Sequence, residues 1–354
     1  MSRDSQPPPA EDIILYHKDA DTRIATLTVN RPDKHNAITT AARHRFAALI
    51  HRANVDDDVK VLVIRGAGDH LGTGDDLPEM ADLFSDKPGV SWLHDFGIGA
   101  DEGVVYPAKG SYRHLAAVTQ LYARPNQGMR DLQDFKKISI VEVKGYCYGW
   151  HFYLAGDADL VISSDDALFG HASFRYVGWA ARMWQWALMM GLRNFQEMVF
   201  TGRPFTAQDM LRCNFVNSVV PREQLEAEVQ KYALACAASR PTDTVMAQKT
   251  FFEVFKQQQG EYLGSILSGW LESMMPAISS DGQMELGDDT FERGLANAVK
   301  DNDSLYPAEW RLSYGARRGS EKSMDSTQQV EMLRQQLDNL QNQLHRLEEQ
   351  YDKR

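Results

Sequence analysis

Apolar residues along the chain fall into runs of two periods. Ile13–Tyr16 and then Ile24, Leu27 and Val29 flank the polar Asp19-Ala20-Asp21, which predicts a hairpin over 13–30. In Thr39–Asn54 the spacing turns helical, with Ala42, Phe46, Leu49 and Ile50 on one face and Thr39 or Thr40 placed to cap the start. Val59–Arg65 (VKVLVIR), Ile138–Tyr148 (ISIVEVKGYCY) and Asp159–Ser163 (DLVIS) are nearly continuous apolar runs, the pattern of strands buried on both faces. Strands alternating with helices predict an α/β layer architecture. Residues 192–270 read as mostly helical, with turns at Thr201–Pro204 and Asn217–Pro221.

The two ends differ from this body. Residues 1–12 carry a proline run and read as a disordered lead-in, and residues 276–326 as a polar, partly ordered arm. From Val330 through Leu333, Leu337, Leu340, Leu344, Leu347 and Tyr351 the apolar spacing alternates three and four. That is a heptad seam and predicts a coiled-coil helix over 327–352. Its other faces are polar, which favours a seam between chains over packing on its own domain.

Composition narrows the function. The chain has 354 residues, with 38 basic against 49 acidic and a formal net charge of −11. A general nucleic-acid binder needs a basic face, so that class is excluded, while a small anionic ligand is not. No stretch is long and apolar enough for a membrane span, and the N-terminus lacks the apolar core of a signal peptide. Cys147, Cys213 and Cys236 lie far apart without metal or redox spacing, which fits a reducing cytoplasm. Phosphate-loop, zinc-helix, nucleophile-elbow and dinucleotide motifs are absent.

Two glycine-bearing segments, His70–Met80 (HLGTGDDLPEM) and Lys144–His151 (KGYCYGWH), each follow a predicted strand. Each could expose a backbone N–H there, and two such donors converging on one carbonyl oxygen make an oxyanion hole. Together with Val29–Ala37 (VNRPDKHNA), Ala158–Ser163, Ala167–Phe169, Thr201–Asp209 (TGRPFTAQD) and Phe215–Pro221, these blocks resemble the crotonase (enoyl-CoA hydratase/isomerase) superfamily over residues 13–275.

The resemblance implies an α/β fold: a spiral of ββα turns over 13–200, interrupted by an insertion at 82–127, then a helical region over 201–275 that assembles trimers or hexamers. It implies acyl-CoA thioester substrates, with coenzyme A entering only as part of the substrate and no metal or redox cofactor. Carried over by position, the two oxyanion donors are the N–H groups of Asp75 and Trp150, with Thr73, Gly74 and Gly149 lining the substrate beside them. The insertion is long enough to form a lid or pocket wall.

The departures bear on the reaction. The family's run of three glycines reads Gly149-Trp150-His151, and its two hydratase glutamates fall on Tyr153 and Ser173. His171 is a candidate general base near neutral pH, or else a hydrogen-bonded structural histidine. His151 and Tyr153 are further candidates. Arg175 could hold an anionic substrate group or make an ordinary ion pair. Asp76 matches a structural aspartate, Asp75 could be a new carboxylate in the site, and Glu79 and Glu142 are expected to be paired or solvated. Asn214 replaces a family glycine, which Asn tolerates because it too adopts the left-handed conformation. Aromatic residues are dense around 146–153 and 174–186, as core packing or as a pocket for a bulky acyl group. The expected function is hydration or isomerisation of an enoyl-CoA. Hydrolytic C–C cleavage of a cyclic β-keto substrate is the alternative, and a non-catalytic acyl-CoA-binding or assembly protein is the alternative of another class.

Overall fold

A computed structural model describes residues 7–84, 103–108, 111–123, 130–176, 178, 180, 183–274 and 294–321. The predicted coiled coil at 327–352 and most of the insertion lie outside the described residues. The chain divides into two compact units, Met1–Asn302 and Asp303–Arg354.

The first unit is built on strands β1 (Ile14–Asp19), β2 (Ile24–Val29), β3 (Val61–Gly66), β4 (Ile138–Val143), β5 (Tyr146–Tyr148), β6 (Leu160–Ser164), β7 (Leu168–Gly170), β8 (Phe205–Thr206) and β9 (Ser218–Val220). The six-stranded sheet runs β1-β2-β3-β4-β6-β9, and a separate three-stranded sheet runs β5-β7-β8. In the large sheet β1 and β2 form the antiparallel hairpin, with Ile14 opposite Val29, and every later pairing is parallel. The small sheet pairs β5 with β7 in parallel and β7 with β8 antiparallel.

The helices are α1 (Ala10–Ile13), α2 (Thr40–Val55), α3 (Leu77–Phe84), α4 (Tyr112–Ala123), α5 (Trp150–Asp157), α6 (Ser173–Tyr176), α7 (Met183–Met190), α8 (Leu192–Thr201), α9 (Ala207–Arg212), α10 (Leu225–Ser239), α11 (Thr242–Gln258) and α12 (Glu261–Ser273). The α2 start is capped by Thr39, whose hydroxyl accepts the Ala42 N–H. Thr206 and Asp209 form a reciprocal capping box on α9.

Strand alternation sorts the core into two layers. Leu62, Ile64, Val141 and Val143 face α2 and α5 and pack with Phe46, Ile50 and Trp150. Val61, Val63, Ile140 and Ile162 point to the other face, against Leu225, Val229 and Ala233 of α10. Each large apolar side chain buried this way contributes about 1.5–3 kcal/mol.

The structure departs from the pattern reading in two places. Ile138–Tyr148 is two strands in different sheets, because Gly145 takes φ +57 and turns the chain between β4 and β5. A Cβ there would meet His70 Nδ1 at 2.2 Å, so the turn needs glycine. Asn217–Pro221, expected as a turn, contains the edge strand β9, paired to β6. The 276–326 arm contains helices α13 (Leu295–Ser304) and α14 (Tyr314–Glu321) among its described residues. Asn214 does adopt the left-handed conformation, at φ +62. The one described helix of the insertion, α4, packs along α12.

Candidate active site

The two glycine segments meet. After β3, the chain from Leu71 to Asp76 runs between two neighbours. The Ile38 N–H donates to the Gly74 carbonyl and the Asp76 N–H to the Ile38 carbonyl, both at 2.9 Å. On the other side the Gly72 N–H donates to Tyr146 at 2.8 Å, and the Tyr148 N–H to Gly72 at 3.0 Å. Gly74 has φ +99 and Gly149 φ +57, conformations that side chains resist. Their backbones touch: a Cβ built on Gly74 would stand 3.3 Å from Gly149 Cα and 3.5 Å from Trp150 N. Asp75 directly follows Gly74. Trp150 is the first residue of α5, where helical N–H groups lack intrahelical partners and the dipole favours negative charge.

The side chains here divide by role. The Asp76 carboxylate pairs with the buried Arg31 at 2.5 Å, and its other oxygen accepts the Glu79 N–H at 3.2 Å. Glu79 in turn accepts the Thr40 N–H at 2.9 Å. Asp75 faces Arg43 at 3.9 Å. Thr73 is tied to the His35 carbonyl through its N–H at 3.1 Å and its hydroxyl at 3.4 Å. His70 stacks on Tyr146 with ring centroids 4.2 Å apart, and its Nδ1 accepts the Tyr146 N–H. Burial lowers the His70 pKa to about 4, so this acceptor stays neutral.

His151 is fully buried, and its Nδ1 accepts the Gly74 N–H at 3.1 Å. Burial pushes its pKa down to about 3, opposed by the Tyr148 carbonyl. Arg175 is buried and donates through Nε to the Gly202 carbonyl at 2.9 Å, an architectural contact. Glu142 is buried with its Oε1 3.7 Å from Lys144, and burial raises its pKa.

Tyr153, His171 and Ser173 come together. Tyr153 lies one turn into α5, with its ring centroid 5.2 Å from that of His171. The Ser173 hydroxyl is hydrogen-bonded to His171 Nδ1, which also accepts the Ser173 N–H at 3.3 Å. That N–H can only donate, so the ring's proton sits on Nε2. Burial lowers the His171 pKa to about 4. Trp186 stacks on Tyr153 at 5.4 Å and on Phe152 at 4.4 Å. Trp150, Phe152 and Trp186 are fully buried core residues.

Three groups escape a reading of the sequence. Arg43 lies on the buried face of α2, where a cation within an apolar stripe was the available signal. Asp157 ends α5, and Arg130 stands 3.5 Å from Glu261 with both side chains buried. Burial raises the Asp157 pKa to about 7, with Arg130 opposing and Glu261 reinforcing the rise. Nothing in their local sequence marks these charges as internal. Among the described residues, no group of three or more His, Cys, Asp or Glu side chains is arranged to hold a metal ion, and no helix is long and apolar enough to cross a membrane.

The family model described as enoyl-CoA hydratase/isomerase matches residues 94–265. Over that segment the chain is similar to the enoyl-CoA hydratase/isomerase family. A Mycobacterium tuberculosis protein named among the enoyl-CoA hydratases is 27% identical over 238 residues, which is 65% of this chain and 70% of that protein. The mevalonyl-coenzyme A hydratase of Aspergillus fumigatus is 25% identical, covering 62% of this chain and 70% of its own. Enoyl-CoA delta isomerase 2 of Rattus norvegicus is 26% identical, covering 69% and 54%. Among solved structures, an enoyl-CoA hydratase of Mycobacterium smegmatis superposes with a TM-score of 0.68 at 23% identity, covering 85% of this chain and 97% of that one. An enoyl-CoA hydratase/isomerase of Xanthobacter autotrophicus Py2 gives 0.65 at 21%, covering 83% and 98%. The chain therefore carries the fold of these solved enoyl-CoA hydratases.

Proposed function

We propose that the protein processes an acyl-CoA thioester by stabilising an enolate or related oxyanion between the N–H groups of Asp75 and Trp150. The observation that carries this reading is the backbone contact of Gly74 with Gly149, which brings the two peptides together. The hole is made of backbone, so aspartate and tryptophan can stand there without altering the donors. Each donor is worth about 3–4 kcal/mol of transition-state stabilisation, and the α5 dipole adds to the second. The relatives are named as hydratases and as an isomerase, so addition of water to an enoyl-CoA and shift of its double bond are both within this reading.

Tyr153, His171 and Ser173 are the proton-handling groups. His171, at about 4, has the basicity of an ordinary glutamate, about 4.3. The imidazole thus offers carboxylate-like basicity in a region where hydratases use carboxylates. With Nδ1 accepting from Ser173, Nε2–H is its donor face, and Tyr153, its ring 5.2 Å away, carries a second donor. The Ser173–His171 hydrogen bond favours one further reading, hydrolysis of a cyclic β-keto thioester, in which this pair activates the attacking oxygen. Exposed Phe251, Phe255, Leu263, Leu267 and Trp270 on α11 and α12 support self-association.

The test is Asp75→Pro. The bridge to Ile38 is made by the Gly74 carbonyl and the Asp76 N–H, so proline removes the donor without cutting that bridge. Turnover of 2-enoyl-CoA and cyclic β-keto-acyl-CoA thioesters, followed by mass spectrometry, should fall at least about 10²-fold with circular dichroism unchanged. Full activity in the folded variant would overturn the oxyanion assignment. Wild-type binding of these thioesters without turnover would instead favour a non-catalytic acyl-CoA-binding protein.

A further inference from the structure

His151 follows Trp150 in α5. The imidazole is fully buried and reaches from α5 to the opposing loop, where Nδ1 accepts the Gly74 N–H at 3.1 Å. Gly74 precedes one proposed donor, Asp75, and His151 follows the other, Trp150. One side chain therefore links the two peptides whose separation defines the hole.

The opposite wall is shaped for this ring. A Cβ at Gly72 would lie 2.3 Å from both Cε1 and Nε2 of His151 and 2.6 Å from Cδ2. Backbone hydrogen bonds from Gly72 to Tyr146 and from Tyr148 to Gly72 hold that wall in place. Trp150 closes another side, with its ring perpendicular to the imidazole and centroids 5.0 Å apart. Among the described residues, Nε2 finds no hydrogen-bond partner. Burying a polar atom in this way costs free energy, which the Gly74 N–H to Nδ1 hydrogen bond offsets in part.

We infer that His151 is a positioning residue that sets the spacing of the two backbone donors by holding the Gly74 peptide against the start of α5. The inference rests on the Asp75–Trp150 reading. With the ring neutral and its proton on Nε2, Nδ1 is the acceptor for the Gly74 N–H. A misplacement of about 1 Å in such a site costs on the order of 10²-fold in rate, so the latch is expected to act on kcat rather than on KM.

Acetoacetyl-CoA is the probe, because its enolate absorbs in the near ultraviolet and is stabilised by an oxyanion hole. Wild-type protein should lower the apparent pKa of the bound ligand, and Asp75→Pro should abolish that shift. His151→Leu keeps bulk and removes the acceptor, so it should move the pKa back by about one to two units, the equivalent of 10–100-fold. His151→Asn places an oxygen near the Nδ1 position and should retain most of the shift. No shift with wild type, or a full shift with Asp75→Pro, defeats the hole itself. A normal hole with a full shift in His151→Leu, or with equal losses in His151→Leu and His151→Asn, defeats only the latch. Should His151→Leu not fold, amide exchange in the wild-type protein decides: Gly74 must be protected, and exchange at the rate of an open loop overturns the inference.

Discussion

Replacing Asp157 by asparagine should remove a pH dependence that wild-type stability carries. The carboxyl ends α5 in a buried setting near Arg130 and Glu261, and its pKa rises from 3.8 to about 7, mainly through desolvation. A folded-state pKa above the unfolded one means that the folded protein holds the proton longer. Stability from this group is therefore full at low pH and is lost as pH climbs from about 4 to 7. At 1.36 kcal/mol per unit, ionised Asp157 costs the fold about 4 kcal/mol, of which about 2 kcal/mol arrives between pH 5 and pH 7. Asparagine resembles the protonated acid in shape and does not titrate. Urea denaturation of both proteins from pH 4 to pH 8.5 should give curves that converge towards the acid end and separate upward for Asp157→Asn. The buried histidines pull the other way below pH 6.5, but they are common to both proteins and cancel in the difference. Parallel profiles across the whole range would refute the assignment of a raised pKa to Asp157.

Four further outcomes follow from the same contacts. Arg31→Met should cost about 3–5 kcal/mol, since it strands the Asp76 carboxylate in the interior, and the thermal midpoint measures it. His171→Ala should lower kcat by about 10²–10⁴-fold if the imidazole moves a proton, whereas a change under tenfold returns His171 to a capping role for α6. Phe251→Glu with Phe255→Glu should reduce the mass seen by light scattering if the α11 face joins subunits, and an unchanged mass excludes that face. Truncation after Ser326 should change that mass if the heptad seam joins chains.

The pattern of apolar residues reaches the large sheet and α2 because Val59–Arg65 and Ala42–Ile50 carry their burial in their own spacing. It fails at Lys144-Gly145, where an apolar run continues unbroken while the backbone turns from one sheet to another. The cause is a glycine with positive φ lodged against His70, and that contact exists only once the chain has folded. Strand β9 is missed for a related reason. Asn217 and Pro221 are turn formers, yet the three residues between them find an open edge on β6. In the site, the glycine loops are legible because backbone geometry requires them. Arg130 and Asp157 are not, since charged residues belong by default at the surface, and only tertiary structure puts them inside.

The two proposed donors hang from different sheets: Asp75 follows β3 of the six-stranded sheet, and Trp150 follows β5 of the three-stranded one. The small sheet has strands of only two or three residues, yet every residue of β5 and β7 is buried, and Cys147, Phe169 and Phe205 belong to the main core. Segments buried in this way open with the global transition rather than ahead of it. As urea is raised, turnover and ellipticity should then be lost together, so the protein would stay armed until its main fold dissolves.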